Sequence, residues 1–183
     1  MGRSPVIDRN HVLDVCETLV RTRGITALTI GEVAKEAGIS KGGVQSAFGT
    51  KDQLVQAMFD RWNAEFESEV AALAGPQASR AALLRAHIQA THHTDSSEGD
   101  RAAAMLTALL QVSWQRQAMQ RWYRERLDLA DPATKEGRRA RLAFLATEGT
   151  FLLRSFGFVE MTDAEWDSVF TDIAAQLPPG ETA

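Results

Sequence analysis

Cysteine is nearly missing from these 183 residues: Cys16 stands alone, so no disulfide can form within the chain, which suits a reducing compartment. No apolar run approaches the roughly 18 residues that a membrane span requires. The opening residues MGRSPVIDRNHV lack the apolar core of a secretory signal, so the cytoplasm is the expected location and no membrane partner is expected. An excess of positive charge is missing too. The net charge of -4 excludes a protein that simply coats nucleic acid, and any DNA contact must come from a local surface. Sustained period-two alternation of β-branched residues, the mark of strands, is absent. So is a catalytic constellation. Cys16 falls in an apolar stripe, no serine lies in a nucleophile-elbow context, and the carboxylates are scattered among basic neighbours, so no enzyme is expected. His87, His92 and His93 do not make the i, i+4 pair that zinc uses on one helix face. They read as a polar helix end leading into a loop, with no metal and no cofactor expected.

What is present is helical periodicity. Val12, Leu13, Cys16, Leu19 and Val20 form one stripe, with Asp8 as N-cap and Gly24 as stop, so a helix is predicted over residues 9–23. Thr29 precedes Ile30, Val33, Ala34 and Ala37, with Glu32 placed as its capping-box partner and Gly38 ending the run. Ser40 then caps a helix through Phe48. The turn Ala37-Gly38-Ile39 between the two has the length that a helix-turn-helix requires. Thr50 opens a helix over 51–74, broken at Gly75-Pro76 and about 36 Å long at 1.5 Å per residue. Further helices are expected at about 78–93, 100–114, 116–130, 137–157 and 163–177, with Thr94 to Gly99 as a polar loop and residues 178–183 as a disordered tail. Eight basic and seven acidic side chains lie within residues 1–61, a net of +1 that leaves -5 for the remainder.

The segment LTIGEVAKEAGISKGGVQSAFGTKDQL, residues 28–54, resembles the DNA-binding region of the TetR family in residue type and spacing. The Gly24 stop, the Thr29 cap, Ala34 and Gly38, Ser40-Lys41-Gly42, Phe48, and Lys51 followed by Leu54 all match, and the specific likeness covers about residues 9–62. It implies an all-α fold. Residues 1–50 would be a three-helix DNA-binding domain, residues 51–183 a helical regulatory and dimerisation bundle, and helix 51–74 the connection. The bottom-up reading agrees. Gly42 and Gly43 would let the recognition helix approach the major groove, although helical glycines cost roughly 1 kcal/mol each. Gln45 suits a bidentate pair with adenine, and Ser46 faces base edges or phosphates. Thr29 and Ser40 would offer contacts to phosphates, with Lys41 and Lys51 adding charge. Many relatives carry Tyr at the position of Gln45 and aromatic residues near Ser46 and Ala47, so the family's operator contacts do not carry over.

The resemblance also implies a homodimer, reading a palindromic operator in double-stranded DNA as a repressor and released by a small apolar or amphipathic effector. Trp62, Phe66, Met105, Leu109, Trp114, Phe144 and Phe151 are the candidates for lining the effector cavity. Thr147, Thr150, Arg154 and Phe158, with Trp166 and Phe170 on the following helix, recur at helical spacing and are the candidates for the dimer interface. Two rival readings are an orphan or activating regulator without a ligand, and a helical binding module whose DNA reader has drifted.

Overall fold

Asp8 opens the first helix by accepting the amide hydrogens of Asn10 and His11, and Gly24, at φ 75°, ends it, giving α1 (Arg9–Arg23). In the computed structural model, residues 7–110 and 113–177 are described, with all their side chains save those at 96, 110 and 113–115. After α1 come a 3-10 turn (Ile25–Ala27), α2 (Ile30–Glu36), α3 (Lys41–Phe48) and α4 (Lys51–Ala74). The chain continues as α5 (Arg80–His92), α6 (Ser96–Leu110), α7 (Ser113–Leu127), α8 (Lys135–Ser155) and α9 (Asp163–Ala174). Among the described residues there is no strand, so the fold is all-α, and no helix is long and apolar enough to cross a membrane. The expected tail at 178–183 lies outside the described residues.

Most helix ends sit where local chemistry puts them. Thr50 and Gln53 cap α4 reciprocally: Thr50 Oγ1 accepts the Gln53 amide at 3.2 Å, and Gln53 Oε1 accepts the Thr50 amide at 2.9 Å. Thr29 caps α2 by accepting the Glu32 amide at 3.1 Å, but the Glu32 carboxylate is engaged by Arg23 at 3.3 Å rather than completing a box. The expected loop at Thr94 to Gly99 is a correction. Asp95 accepts the Glu98 amide at 2.9 Å and Glu98 accepts the Asp95 amide at 3.0 Å, and this box starts α6 at Ser96. The Glu98 amide also holds the Asp95 carboxyl below its ordinary range.

The chain divides into two compact units. The first holds the residues through Asn63 together with Ala104–Arg116; the second holds Ala64–Ala103 and the residues from Gln117 onward. In the first unit, the α1 stripe of Val12, Leu13, Cys16, Leu19 and Val20 is buried, with Val33, Val44, Leu54 and Met58 completing the interior. Each such side chain contributes roughly 1.5–3 kcal/mol by leaving water. Burial pushes the Cys16 thiol up to about 12, which makes it an inert core residue. Two arginines lash the helices. Arg61 of α4 reaches Asp14 at 2.7 Å, Glu17 at 2.5 Å and the Asn10 carbonyl at 3.2 Å on α1, and Arg23 pairs with Glu32 and Glu36 on α2.

In the second unit α5 supplies the centre. Leu84 packs with Ala130, Ala140 and Phe144, Ile88 with Ala143, Trp166, Phe170 and Ile173, and Ala86 and Ala90 with Val70. Trp166 Nε1 donates to the His92 carbonyl at 2.8 Å, seating α9 against α5. At Gly137, in the first turn of α8, any Cβ would collide with the Asp131 backbone, so the chain needs glycine there.

Candidate DNA interface and regulatory core

Ser40 starts α3 by accepting the Gly43 amide at 3.0 Å, and the Ile39 amide closes the preceding turn on the Ala34 carbonyl at 3.0 Å. Gly38 takes φ 66° in that turn, a conformation that strains other residues. Val44 and Phe48 are buried, which turns Lys41, Gly42, Gln45 and Ser46 outward, and all four are exposed. Thr29 and Ser40 are exposed as well. Each uses its oxygen as a helix cap while its own hydroxyl proton is left to donate, the chemistry needed at a phosphate.

The two helical glycines differ. A Cβ at Gly42 would stand in the open, 4.0 Å from Ser40 Oγ, whereas one at Gly43 would come within 3.1 Å of Ile7 Cδ1 and 3.3 Å of Ser40 Oγ. Gly43 thus answers first to packing within its own fold. Lys51 is half-buried, and its Nζ donates to the Ile25 carbonyl at 3.0 Å, so its charge is partly spent inside the unit. Two residues escaped the sequence reading. Arg9 caps the end of α3 by donating to the Ala47 carbonyl and lies over the Phe48 ring, 4.1 Å from its centroid. Gly31 leaves room for the Lys41 side chain, whose Cε would stand only 3.1 Å from a Cβ there. Both contacts span many residues of chain, where local patterns carry no signal.

The expected effector residues separate. Phe66 and Phe144 meet at His87, with ring centroids 5.1 and 5.0 Å away, and Trp122 joins them at 5.6 Å. Phe151 packs with the Ile88, Trp166 and Phe170 cluster and lines a cavity of about 60 Å³, room for about two waters. Met105 and Leu109 are buried in the first unit, where half-buried Trp62 lies 5.6 Å from Phe59. The side chain of Trp114 lies outside those described.

The placement of His87 corrects its reading as part of a polar helix end. It is only 2% exposed, on the buried α5 stripe with Leu84, Ile88 and Thr91. Its Nε2 lies 2.7 Å from Glu148 Oε1, and Tyr123 donates its hydroxyl to Glu148 Oε2 at 3.0 Å. Burial first, and the Glu148 charge second, push the Tyr123 phenol well above its ordinary range, so it stays a donor. His92 and His93 do sit at the helix end, beside Asp167 at 2.8 Å and Glu69 at 3.0 Å. Among the described residues no group of three or more His, Cys, Asp or Glu could hold a metal ion.

The expected dimer residues also divide. Thr147, Trp166 and Phe170 are buried within the protomer, Thr147 by donating to the Ala143 carbonyl at 3.0 Å and Phe170 by stacking on His92. These three are a correction, since they do not reach the surface. Thr150 is half-buried, and Arg154 covers Trp166 at 4.5 Å while pairing with Asp163 at 2.9 Å. Phe158 is 76% exposed, and α8 turns Leu142, Leu145 and Leu153 outward. Both faces of α8 are apolar, so periodicity did not separate the inner stripe from the outer one.

Comparison with known proteins agrees with this architecture. The family profile described as "Bacterial regulatory proteins, tetR family" matches residues 12–58, and "Tetracyclin repressor-like, C-terminal domain" matches residues 81–178. Among solved structures, a transcriptional regulator from Rhodococcus sp. RHA1 is similar at 17% identity, covering 93% of this chain and 96% of its own, with TM-score 0.68. The multidrug binding protein EbrR, complexed with malachite green, is similar at 23% identity, with 95% and 100% coverage and TM-score 0.69. SmeT, in a complex with triclosan, is similar at 16% identity, with 91% and 90% coverage and TM-score 0.68. No curated protein sequence matches the chain. With one profile spanning the helix-turn-helix and another over half of the residues, the chain belongs to the TetR family of DNA-binding bacterial transcription regulators.

Proposed function

We propose that two copies of the chain bind a palindromic or near-palindromic operator, block transcription there, and let go when a small apolar or amphipathic ligand enters the second unit. The observation that carries this reading is α3: a helix capped by Ser40, braced from below by Val44 and Phe48, and presenting Lys41, Gln45 and Ser46 to solvent. In this reading α3 lies in the major groove, Gln45 and Ser46 address base edges, and Thr29, Ser40, Lys41 and Lys51 address phosphates. Gly42 gives the backbone close approach, and Gly43 holds the helix against Ile7. A two-fold dimer would set two such helices in successive grooves.

Residues 1–50 act as the reader, residues 51–183 as the regulatory and dimerisation part, and α4 as the connection. The exposed face of Leu142, Leu145 and Leu153, with Phe158 beyond it, is the surface proposed to pair the protomers. The ligand reading draws on EbrR and SmeT, similar folds seen with malachite green and triclosan. A ligand that shifts α4 needs only about 1.4 kcal/mol of coupling for a tenfold change in DNA affinity. The chain acts by binding, without catalysis, in the cytoplasm.

The test is selection from a random pool of DNA duplexes by the purified protein at near-physiological salt. An enriched inverted repeat is the expected result. No enrichment by folded, dimeric protein overturns the operator reading.

A further inference from the structure

We propose that Nδ1 of His87 is the hydrogen-bonding anchor for the effector, and that the effector is an aromatic molecule carrying an O–H or N–H donor. This deepens the ligand-release reading and rests on it. His87 is 2% exposed, and its two ring nitrogens are used unequally. Nε2 sits 2.7 Å from a Glu148 oxygen, which accepts its hydrogen bond, so in the neutral ring Nε2 carries the proton. Nδ1 is then a bare acceptor, out of contact with solvent and with no hydrogen-bond partner among the described residues.

The rest of the cluster is satisfied. Tyr123 donates to the other Glu148 oxygen at 3.0 Å, and Trp122 donates through Nε1 to Glu67 at 3.0 Å. Arg126 donates to the same Glu67 oxygen and stacks 4.1 Å above the Trp122 ring. One unpaired acceptor in an otherwise closed network calls for an explanation. The Phe66, Trp122 and Phe144 rings surround His87 at 5.0–5.6 Å, so what meets Nδ1 does so among aromatic faces. The complementary molecule has a flat apolar body and one donor. Phenols and indoles carry their O–H or N–H donor directly on such a flat apolar body. Phe66 belongs to α4, the helix that begins at Lys51, so a ligand displacing that ring acts directly on the connection.

The experiment uses the full chain labelled with nitrogen-15 histidine, without DNA, titrated with matched pairs: phenol and anisole, 2-naphthol and 2-methoxynaphthalene, indole and 1-methylindole. Within each pair the donor is expected to bind at least tenfold more tightly and to move the His87 Nδ1 resonance. His87→Phe keeps the aromatic volume and is expected to bind both members alike. Glu148→Gln, which keeps the shape and weakens the acceptor, is expected to narrow the difference several-fold, and it decides the matter if His87→Phe fails to fold. Equal binding within the pairs, preference for the methylated member, discrimination that survives His87→Phe, or no binding by any of the six overturns the proposal. The two readings fail separately. An operator released only by molecules without a donor leaves the regulator reading standing and removes this one, while discrimination without any enriched operator does the reverse.

Discussion

Lys51 Nζ donates to the Ile25 carbonyl oxygen at 3.0 Å, fastening the first turn of α4 to the turn that follows α1. A residue proposed to meet phosphate therefore has a second task within the fold. Lys51→Ala is expected to cost about 1–2 kcal/mol of stability, since a charged donor is lost from a half-buried bond. It is also expected to weaken DNA binding whatever the sequence and to reduce the salt slope by about one unit. Melting curves and binding at several salt concentrations measure the two effects separately. A lowered melting temperature with an unchanged salt slope assigns Lys51 to the fold alone.

Gln45 offers the contrast. Its side chain is exposed on α3, so Gln45→Ala should leave stability within about 0.5 kcal/mol. Repeating the duplex selection with this variant should relax the preference at particular base positions, by about 1–3 kcal/mol each, and leave others as they were. A uniform loss at every position would contradict the base-reading role.

The surface and the core of α8 make separable demands. Leu145→Glu and Phe158→Glu place charge on side chains that are 50% and 76% exposed, so the protomer should still fold. Sedimentation equilibrium at micromolar concentration should then show a monomer. Thr147→Ala removes a buried hydroxyl, and the expectation is reversed: about 1 kcal/mol of stability lost, with the dimer intact.

Acid should loosen α9. The Glu165 carboxylate accepts the Thr162 amide and hydroxyl, both at 2.9 Å, which holds it below its ordinary value of 4.5. A carboxyl depressed in the folded state adds stability in full above that value and loses it as pH falls through the folded one. The melting temperatures of the protein and of Glu165→Ala should therefore differ at neutral pH and converge as the pH falls below 4.5. A gap that does not change with pH would mean that the capping charge contributes nothing.

How far the sequence could be read follows the reach of the interactions. Asp8, Thr29, Ser40 and Thr50 cap through atoms two or three residues away, so α1 to α4 could be placed from their neighbours alone. Asp95 and Glu98 obey the same rule, but polar neighbours masked the box. The outward set on α3 followed from the phase of Val44 and Phe48. His87 lies three residues after Leu84 and four before Thr91, so its burial was available from periodicity. Its partner Glu148 lies 61 residues away and was not. The grips of Arg9 on Ala47 and of Lys51 on Ile25 belong to the same class of distant contact.

The first unit takes part of its substance from Ala104–Arg116, where Met105 and Leu109 are 2% exposed. On the ribosome, α1 to α4 emerge well before that stretch, so the DNA-reading part cannot finish its interior until more than half the chain has been made. It is consequently not a cassette to be excised. A fragment ending at Gly75 would lack Met105 and Leu109, which are buried in this unit, and a chimera grafting this reader onto another regulator must carry them along with it.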